Sequence, residues 1–310
     1  MSILKAMNFS TSAAFHGWRP AAWLRVTGED AATFLQGQFT NELRGLPAGG
    51  AVYGLWLTLK GKVLADSFVV RGAEPAEFWV GSYFSPAAVI RERLEAFIIA
   101  DDVTIEDVTA AWAAVTLLGE GGAATMATDA ATAGGARGGV VFRGRRGQEA
   151  AVEWVFPGAQ SDAVRAQLAG VRELEGEEMT RRRITAGVPA VPVDIGPGDL
   201  PGEGGLEHDA ISYTKGCYLG QEVMARLKSM GQVRRRLMRV AGRAGEAAPG
   251  SLPAALFAGG RKVGEVRSAV SDGGGGWVGL AMLTLLQLEA GAGLAVAVDV
   301  VPTVRLIDGL

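Results

Sequence analysis

Along the first third of the chain, short apolar runs alternate with polar turns at intervals too close for long helices. Trp23–Val26 reads as a strand, and Thr27 stands where a helix N-cap would be. Acids Glu29 and Asp30 follow, then Phe34 and Leu35 at helical spacing. Ala51–Leu59 and Lys62–Val70 flank Lys60-Gly61 as two arms of a hairpin, and Phe78–Gly81 is a further strand. Ser85-Pro86 has the form of a helix start, Ser as cap and Pro at the first helical position. Val89, Ile90, Leu94, Phe97 and Ile98 then recur with helical period. A return strand is expected at Val103–Val108, after a turn at Asp101-Asp102. Helices set between antiparallel hairpins predict an α+β fold and not the strand–helix alternation of a Rossmann domain.

The stretch Gly119–Gly139, rich in Gly, Ala and Thr, is expected to be a loose connection or insertion. Val140–Phe142 and Val152–Phe156 form another hairpin around Gly144–Gly147. Ser161 is placed as the cap of a helix through Val164 and Leu168, and a second helix covers Gly176–Ala186. Gly187–Asp209 holds four prolines and is expected to run extended over the surface. Beyond Ser229 come short strand-like runs between glycines: Arg236–Val240, Leu252–Phe257, Arg261–Val266, Trp277–Leu280 and Gly293–Val304. That pattern predicts a small C-terminal β-barrel, residues 230–310, after a larger module, residues 1–229.

Composition narrows the function. The chain has 310 residues, 48% of them hydrophobic, enough for a large core. A net charge of −3 supplies no global basic field, so a duplex-DNA binder is excluded while a local basic patch is not. One cysteine cannot form an internal disulfide, which points to a reducing, cytoplasmic setting. With only two histidines, His16 and His208, it also excludes Cys/His zinc sites, and no metal site is assigned. Both histidines lack a partner pattern and read as surface or turn residues. The first fifteen residues have no long apolar stretch, so no secretory signal is expected. The longest apolar run, Trp277–Leu286, is about half a membrane span.

Candidate chemistry is densest at Lys215-Gly216-Cys217-Tyr218-Leu219-Gly220-Gln221-Glu222. The thiol of Cys217 would sit just before a helix N-terminus and two residues from Lys215, and both favour the thiolate. Cys217 then reads either as a reactive or ligating thiol beside Tyr218, Gln221 and Glu222, or as a small buried hydrophobe in a glycine-shaped turn. From Val223 to Gly245 there are seven basic residues and no acid. This reads either as an anion-binding patch or as a solvated face balanced by Glu173, Glu175, Glu177 and Glu178. If Arg234–Arg236 is a strand, alternate side chains point opposite ways.

The KGCYLGQE run resembles the signature of the YgfZ family of folate-binding proteins, relatives of the glycine-cleavage T-protein, an aminomethyltransferase. Thr27–Asn41, Leu59–Asp66, Arg183–Pro189 and Pro201–Lys215 are similar to family segments in the same order. The resemblance implies a split folate-binding module of antiparallel sheets with helices and a C-terminal β-barrel, in a three-lobed ring around a central hole. It implies tetrahydrofolate, or a one-carbon derivative, as cofactor. It implies a role in iron–sulfur cluster assembly or repair, with transient iron–sulfur client or assembly proteins, tRNA-modifying methylthiotransferases among them, as partners. Cys217 and Lys215 would then be the reactive residues; Tyr218, Gln221, Glu222, Arg226, Asp66 and Arg236 would face the folate. The T-protein's adjacent pair of acids reads Ala65-Asp66 here, which weakens the case for aminomethyl transfer and leaves Asp66 as substitute. Two alternatives stay open: a folate-dependent one-carbon transferase, and an RNA-binding module using the basic patch.

Overall fold

The structure is a computed structural model that describes residues 13–119, 139–231, 233–288, 293–298 and 300–307. Its fifteen described strands form three five-stranded sheets. The first sheet has the order β3-β4-β5-β2-β6 and is antiparallel throughout, from β2 (Ala22–Thr27), β3 (Ala51–Leu57), β4 (Val63–Arg71), β5 (Glu77–Ser82) and β6 (Thr104–Asp107). The second sheet takes β1 (Ala14–Trp18) from the beginning of the described chain. It adds β7 (Trp112–Leu118), β8 (Val140–Arg143), β9 (Ala151–Pro157) and the short β10 (Arg172–Glu173). The whole first sheet is thus inserted in sequence between β1 and its partner β7, with Phe15 opposite Leu117. The module is split by topology, as expected.

The third sheet has the order β12-β13-β14-β11-β15, from β11 (Arg235–Gly242), β12 (Ala254–Ala258), β13 (Arg261–Ser271), β14 (Trp277–Thr284) and β15 (Val304–Leu306). Its edges meet: Phe257 of β12 bridges to Ala295, and Leu294 bridges to Val304. Where a strand was expected over Gly293–Val304, only these bridges and β15 occur. The expected insertion at Gly119–Gly139 falls on residues 120–138, outside the described ones.

Among the described residues five α-helices pack on the sheets: α1 (Ala31–Gln38), α2 (Ala87–Glu95), α3 (Ser161–Gln167), α4 (Gly176–Thr185) and α5 (Gln221–Met230). No described helix is long and apolar enough to cross a membrane. Three expected caps are displaced. Thr27 remains in β2, paired with Glu77 and Thr104, because the chain turns only at Gly28, whose φ of 126° favours glycine. Asp30 is the residue that flanks α1, and its carboxylate accepts from the Asp102 amide, while Asp102 accepts from the Glu29 amide. Pro86, not Ser85, caps α2, because the Ser85 hydroxyl is drawn to Asp66. Ser161 lies inside α3, its hydroxyl donating back to Gly158 O.

The largest correction concerns 187–209. Ala190, Val191, Ile195 and Leu206 are buried, and the segment fills the space where the three sheets converge rather than running over the surface. A buried loop must satisfy its own polar groups. Here Asp194 accepts from the Ala190 amide, Asp199 from the Gly196 amide and Glu203 from the Leu200 amide. Each acid is matched by an arginine from a neighbouring element: Arg183 of α4 with Asp194, Arg235 of β11 with Asp199 and Glu203, and Arg267 of β13 with Asp199. Periodicity gave no sign of this, because the segment has none.

Candidate functional site

The sheets enclose a cavity of about 260 Å³ walled by the aromatic rings of Trp18, Tyr53, Tyr83 and Phe84. Arg19, Arg145, Arg146 and Arg183 also line it, and Asp66 stands in its wall. Asp66 is the one charged residue in the buried middle of β4, next to Ser67, and 4% of it is exposed. Its Oδ1 accepts from the hydroxyls of Ser82 (2.6 Å) and Ser85 (2.7 Å), and its Oδ2 from the Tyr53 hydroxyl (3.0 Å). Burial raises its pKa, and the three hydroxyls oppose the rise by favouring the carboxylate. Burial also raises Tyr53 well above an ordinary phenol, with the adjacent Asp66 adding to the effect, so that phenol stays a donor. The Arg145 guanidinium covers the Tyr53 ring at 4.6 Å and donates to Asp209.

A second carboxylate lies deeper. Glu153 of β9 is fully buried and accepts from Thr116 Oγ1 (2.7 Å), Tyr83 Oη (2.7 Å) and Trp18 Nε1 (3.1 Å). Arg146 packs in the corner where the Trp18 and Tyr83 rings meet edge to face, 5.1 Å between centres, with its guanidinium 4.4 and 3.9 Å from those centres and its Nε 3.5 Å from Glu153 Oε1. Its buried Nε and Nη2 have no hydrogen-bond partner. His16 of β1 also lines the cavity and is no turn residue. Its Nδ1 lies 2.8 Å from Leu174 O, a group that only accepts, so the proton sits on Nδ1 and Nε2 is the free nitrogen. His208 is exposed, as expected.

Of the residues expected to react or to face the folate, Asp66 alone lines this cavity. The KGCYLGQE segment lies against the end of α1 and the β3–β4 turn. Lys215 is buried, its Nζ donating to Gln36 O (2.8 Å), Phe39 O (2.6 Å) and Asn41 O (2.9 Å). Burial brings its pKa down to about 8, against the pull of Glu42. Tyr218 belongs to the core, its hydroxyl without a partner and its pKa pushed up to about 12 by burial. Gln221 is half-buried at the start of α5, whereas Cys217, Glu222, Arg226 and Arg236 are exposed. Gly220 adopts φ 87°, and a Cβ there would stand 2.9 Å from Thr58 O, so glycine is required. In the basic stretch, Arg235 turns inward while Arg234 and Arg236 face outward. Three of the four acids expected to balance it pair elsewhere: Glu173 with Arg165, Glu177 with Arg181, and Glu178 with Arg172 and Arg182.

Glu153, Arg146, Tyr83 and Trp18 were missed in the sequence. The available signal was a lone charge in the apolar strand Ala151–Phe156, opposite a turn bearing two arginines.

The GCVT N-terminal domain family matches residues 10–133. A Homo sapiens protein named iron–sulfur cluster assembly factor IBA57, mitochondrial, is 33% identical over 278 residues, covering 84% of this chain and 74% of that one. The chain belongs to the IBA57 family. A tRNA-modifying protein YgfZ of Sodalis glossinidius is 35% identical over 88 residues, 28% of this chain and 27% of that one. The crystal structure of glycine cleavage system aminomethyltransferase T from Bartonella henselae superposes with a TM-score of 0.72 at 18% identity. It covers 95% of this chain and 84% of that one, which establishes the T-protein fold for this IBA57-family chain.

Proposed function

We propose that this protein binds a reduced folate, tetrahydrofolate or a one-carbon derivative, in the central cavity and acts as an accessory factor in iron–sulfur cluster assembly or repair. One observation carries the folate reading: an aromatic-walled cavity with the buried carboxylate of Asp66 in its wall and a second buried carboxylate, Glu153, accepting from two of the lining rings, Trp18 and Tyr83. The donor set fits the ligand. Flat rings suit a bicyclic pterin. A carboxylate matches the amino and ring N–H edge of a pterin, which resembles a guanidinium. Exposed Arg19 at the cavity lining suits an anionic tail. Bound folate supplies a one-carbon carrier. The chain's own part is to orient it, with Tyr53, Ser82 and Ser85 holding Asp66 as an acceptor.

The assembly reading rests on family membership and on Cys217, an exposed thiol on a segment anchored by Lys215 and able to reach a partner. One thiol contributes at most one ligand to a shared cluster. Gln221, Glu222, Arg226 and Arg236 then belong to that surface, and folate, client proteins and tRNA-modifying enzymes in the cytoplasm are the proposed partners. A second reading, one-carbon transfer, is favoured by Asp66 standing in the cavity wall.

The test is a tetrahydrofolate titration followed by fluorescence, Trp18 being in the cavity wall. Wild type and Cys217→Ala are expected to bind equally, while Asp66→Asn binds more weakly. In cells, Cys217→Ala is expected to lose support of iron–sulfur enzymes. Absence of saturable binding in wild type refutes the folate reading, and consumption of methylene-tetrahydrofolate by purified protein would favour transfer.

A further inference from the structure

We propose that the slot in the corner of the edge-to-face Trp18 and Tyr83 rings, floored by Glu153, is a guanidinium-recognition site that the chain fills with its own Arg146. A ligand bearing a guanidine-like edge then reaches Glu153 only by displacing that side chain. For folate the inference rests on the function proposed above; for the slot itself it does not.

The slot has what binds a cation: two aromatic rings set at 63° to each other, both close to the guanidinium, and a fully buried carboxylate. Glu153 is held by three hydrogen-bond donors other than Arg146, namely Thr116, Tyr83 and Trp18. Arg146 fits the slot without completing its bonds. An arginine fixed on a carboxylate usually donates two parallel N–H···O bonds at about 2.8 Å. Arg146 instead approaches no closer than 3.5 Å, and its Nε and Nη2 are buried with no partner, though only 10% of its side chain is exposed. It neutralises the charge of Glu153 while leaving its own donors unused, an arrangement that costs free energy at each unmade bond.

The backbone allows it to leave. Arg146 sits in the turn between β8 and β9, and it lines a second cavity of about 300 Å³ on its other side, together with Gly147, Gln148 and Glu149. The charged groups facing that space, Glu149, Glu178, Arg181 and Arg182, comprise two acids and two bases. A displaced guanidinium therefore has room and meets no excess of either charge. Occupancy by Arg146 lowers the apparent affinity of any ligand for the slot by the fraction of time the slot is open.

The experiment uses the full chain with Arg146→Ala, Arg146→Gln and Arg146→Ala/Glu153→Gln, with ethylguanidinium as probe. Ethylguanidinium should raise the Tm of R146A and R146Q saturably and quench their tryptophan fluorescence, while leaving wild type and R146A/E153Q unchanged. If R146A folds only when the probe is added, that rescue is the same result. Equal responses in wild type and both single variants overturn the proposal. A second arm measures tetrahydrofolate: R146Q should bind at least about tenfold tighter than wild type. Weaker binding by R146Q makes Arg146 a ligand contact and overturns the displacement. If no protein binds folate, the folate function fails while the ethylguanidinium result still decides the slot.

Discussion

Replacing Lys215 with Met separates two roles for the lysine of the KGCYLGQE segment. As a neighbour that activates Cys217, it would matter to the thiol and little to stability. In the structure its ammonium joins the 215–221 segment to the end of α1 through Gln36 O, Phe39 O and Asn41 O. Three hydrogen bonds from a charged donor are worth roughly 6 kcal/mol together. Burial lowers the lysine's pKa to about 8, so desolvation of the ammonium takes back part of that gain. The expected net loss in Lys215→Met is about 3 kcal/mol, because the apolar chain still fills the space while the Phe39 carbonyl is left buried. Urea unfolding should show the midpoint falling at constant m-value. Alkylation of exposed Cys217 by iodoacetamide should keep its rate or accelerate as the segment loosens. A stability within about 0.5 kcal/mol of wild type together with slowed alkylation would refute the anchoring argument and restore the lysine to the thiol's chemistry.

Three further outcomes can be checked by equilibrium unfolding. Asp66 has a folded-state pKa raised by burial, so the cost of its ionised form is fully present above that pKa and disappears as pH falls through it toward about 3.9. Asp66→Asn should therefore compare more favourably with wild type at pH 7 than at pH 4, and a pH-independent difference would count against this. Gly220→Ala should cost roughly 2 kcal/mol for its left-handed backbone and its approach to Thr58 O. Gly216→Ala, which meets nothing closer than Arg44 at 3.7 Å, should stay within about 0.5 kcal/mol; equal losses at the two positions would contradict the geometry. Arg235→Met should destabilise by about 2 kcal/mol by stranding Glu203, and Glu203→Gln in the same chain should recover part of it. A coupling energy near zero in that double-mutant cycle would show that the pair does not tie the 187–209 segment to the third sheet.

Local pattern was enough for much of the secondary structure. The hairpin β3–β4, strands β2 and β5, helices α2 and α4 and the strands β11–β14 were legible from apolar spacing and turn residues, whereas the strand expected over Gly293–Val304 was not found. The caps failed where a side chain found a partner far away in sequence, as Ser85 did in Asp66, nineteen residues upstream. The KGCYLGQE segment led to the T-protein fold through a resemblance, and the superposition upheld that fold.

What sequence alone determined is which positions are apolar, where the chain must turn, and that Cys217 has no cysteine partner. What only the tertiary structure decided is the company each polar group keeps. Asp66, Tyr53, Tyr83, Arg146 and Glu153 come from β3, β4, the ends of β5 and β8, and β9, and they meet because β1 closes on β7 across the inserted first sheet. Period along a chain reports burial of a residue but not what it is buried against. For a carboxylate the difference is decisive, since desolvation is offset only by donors that distant strands deliver. Asp66 and Glu153 acquire their surroundings, and with them their chemistry, only when the sheets assemble.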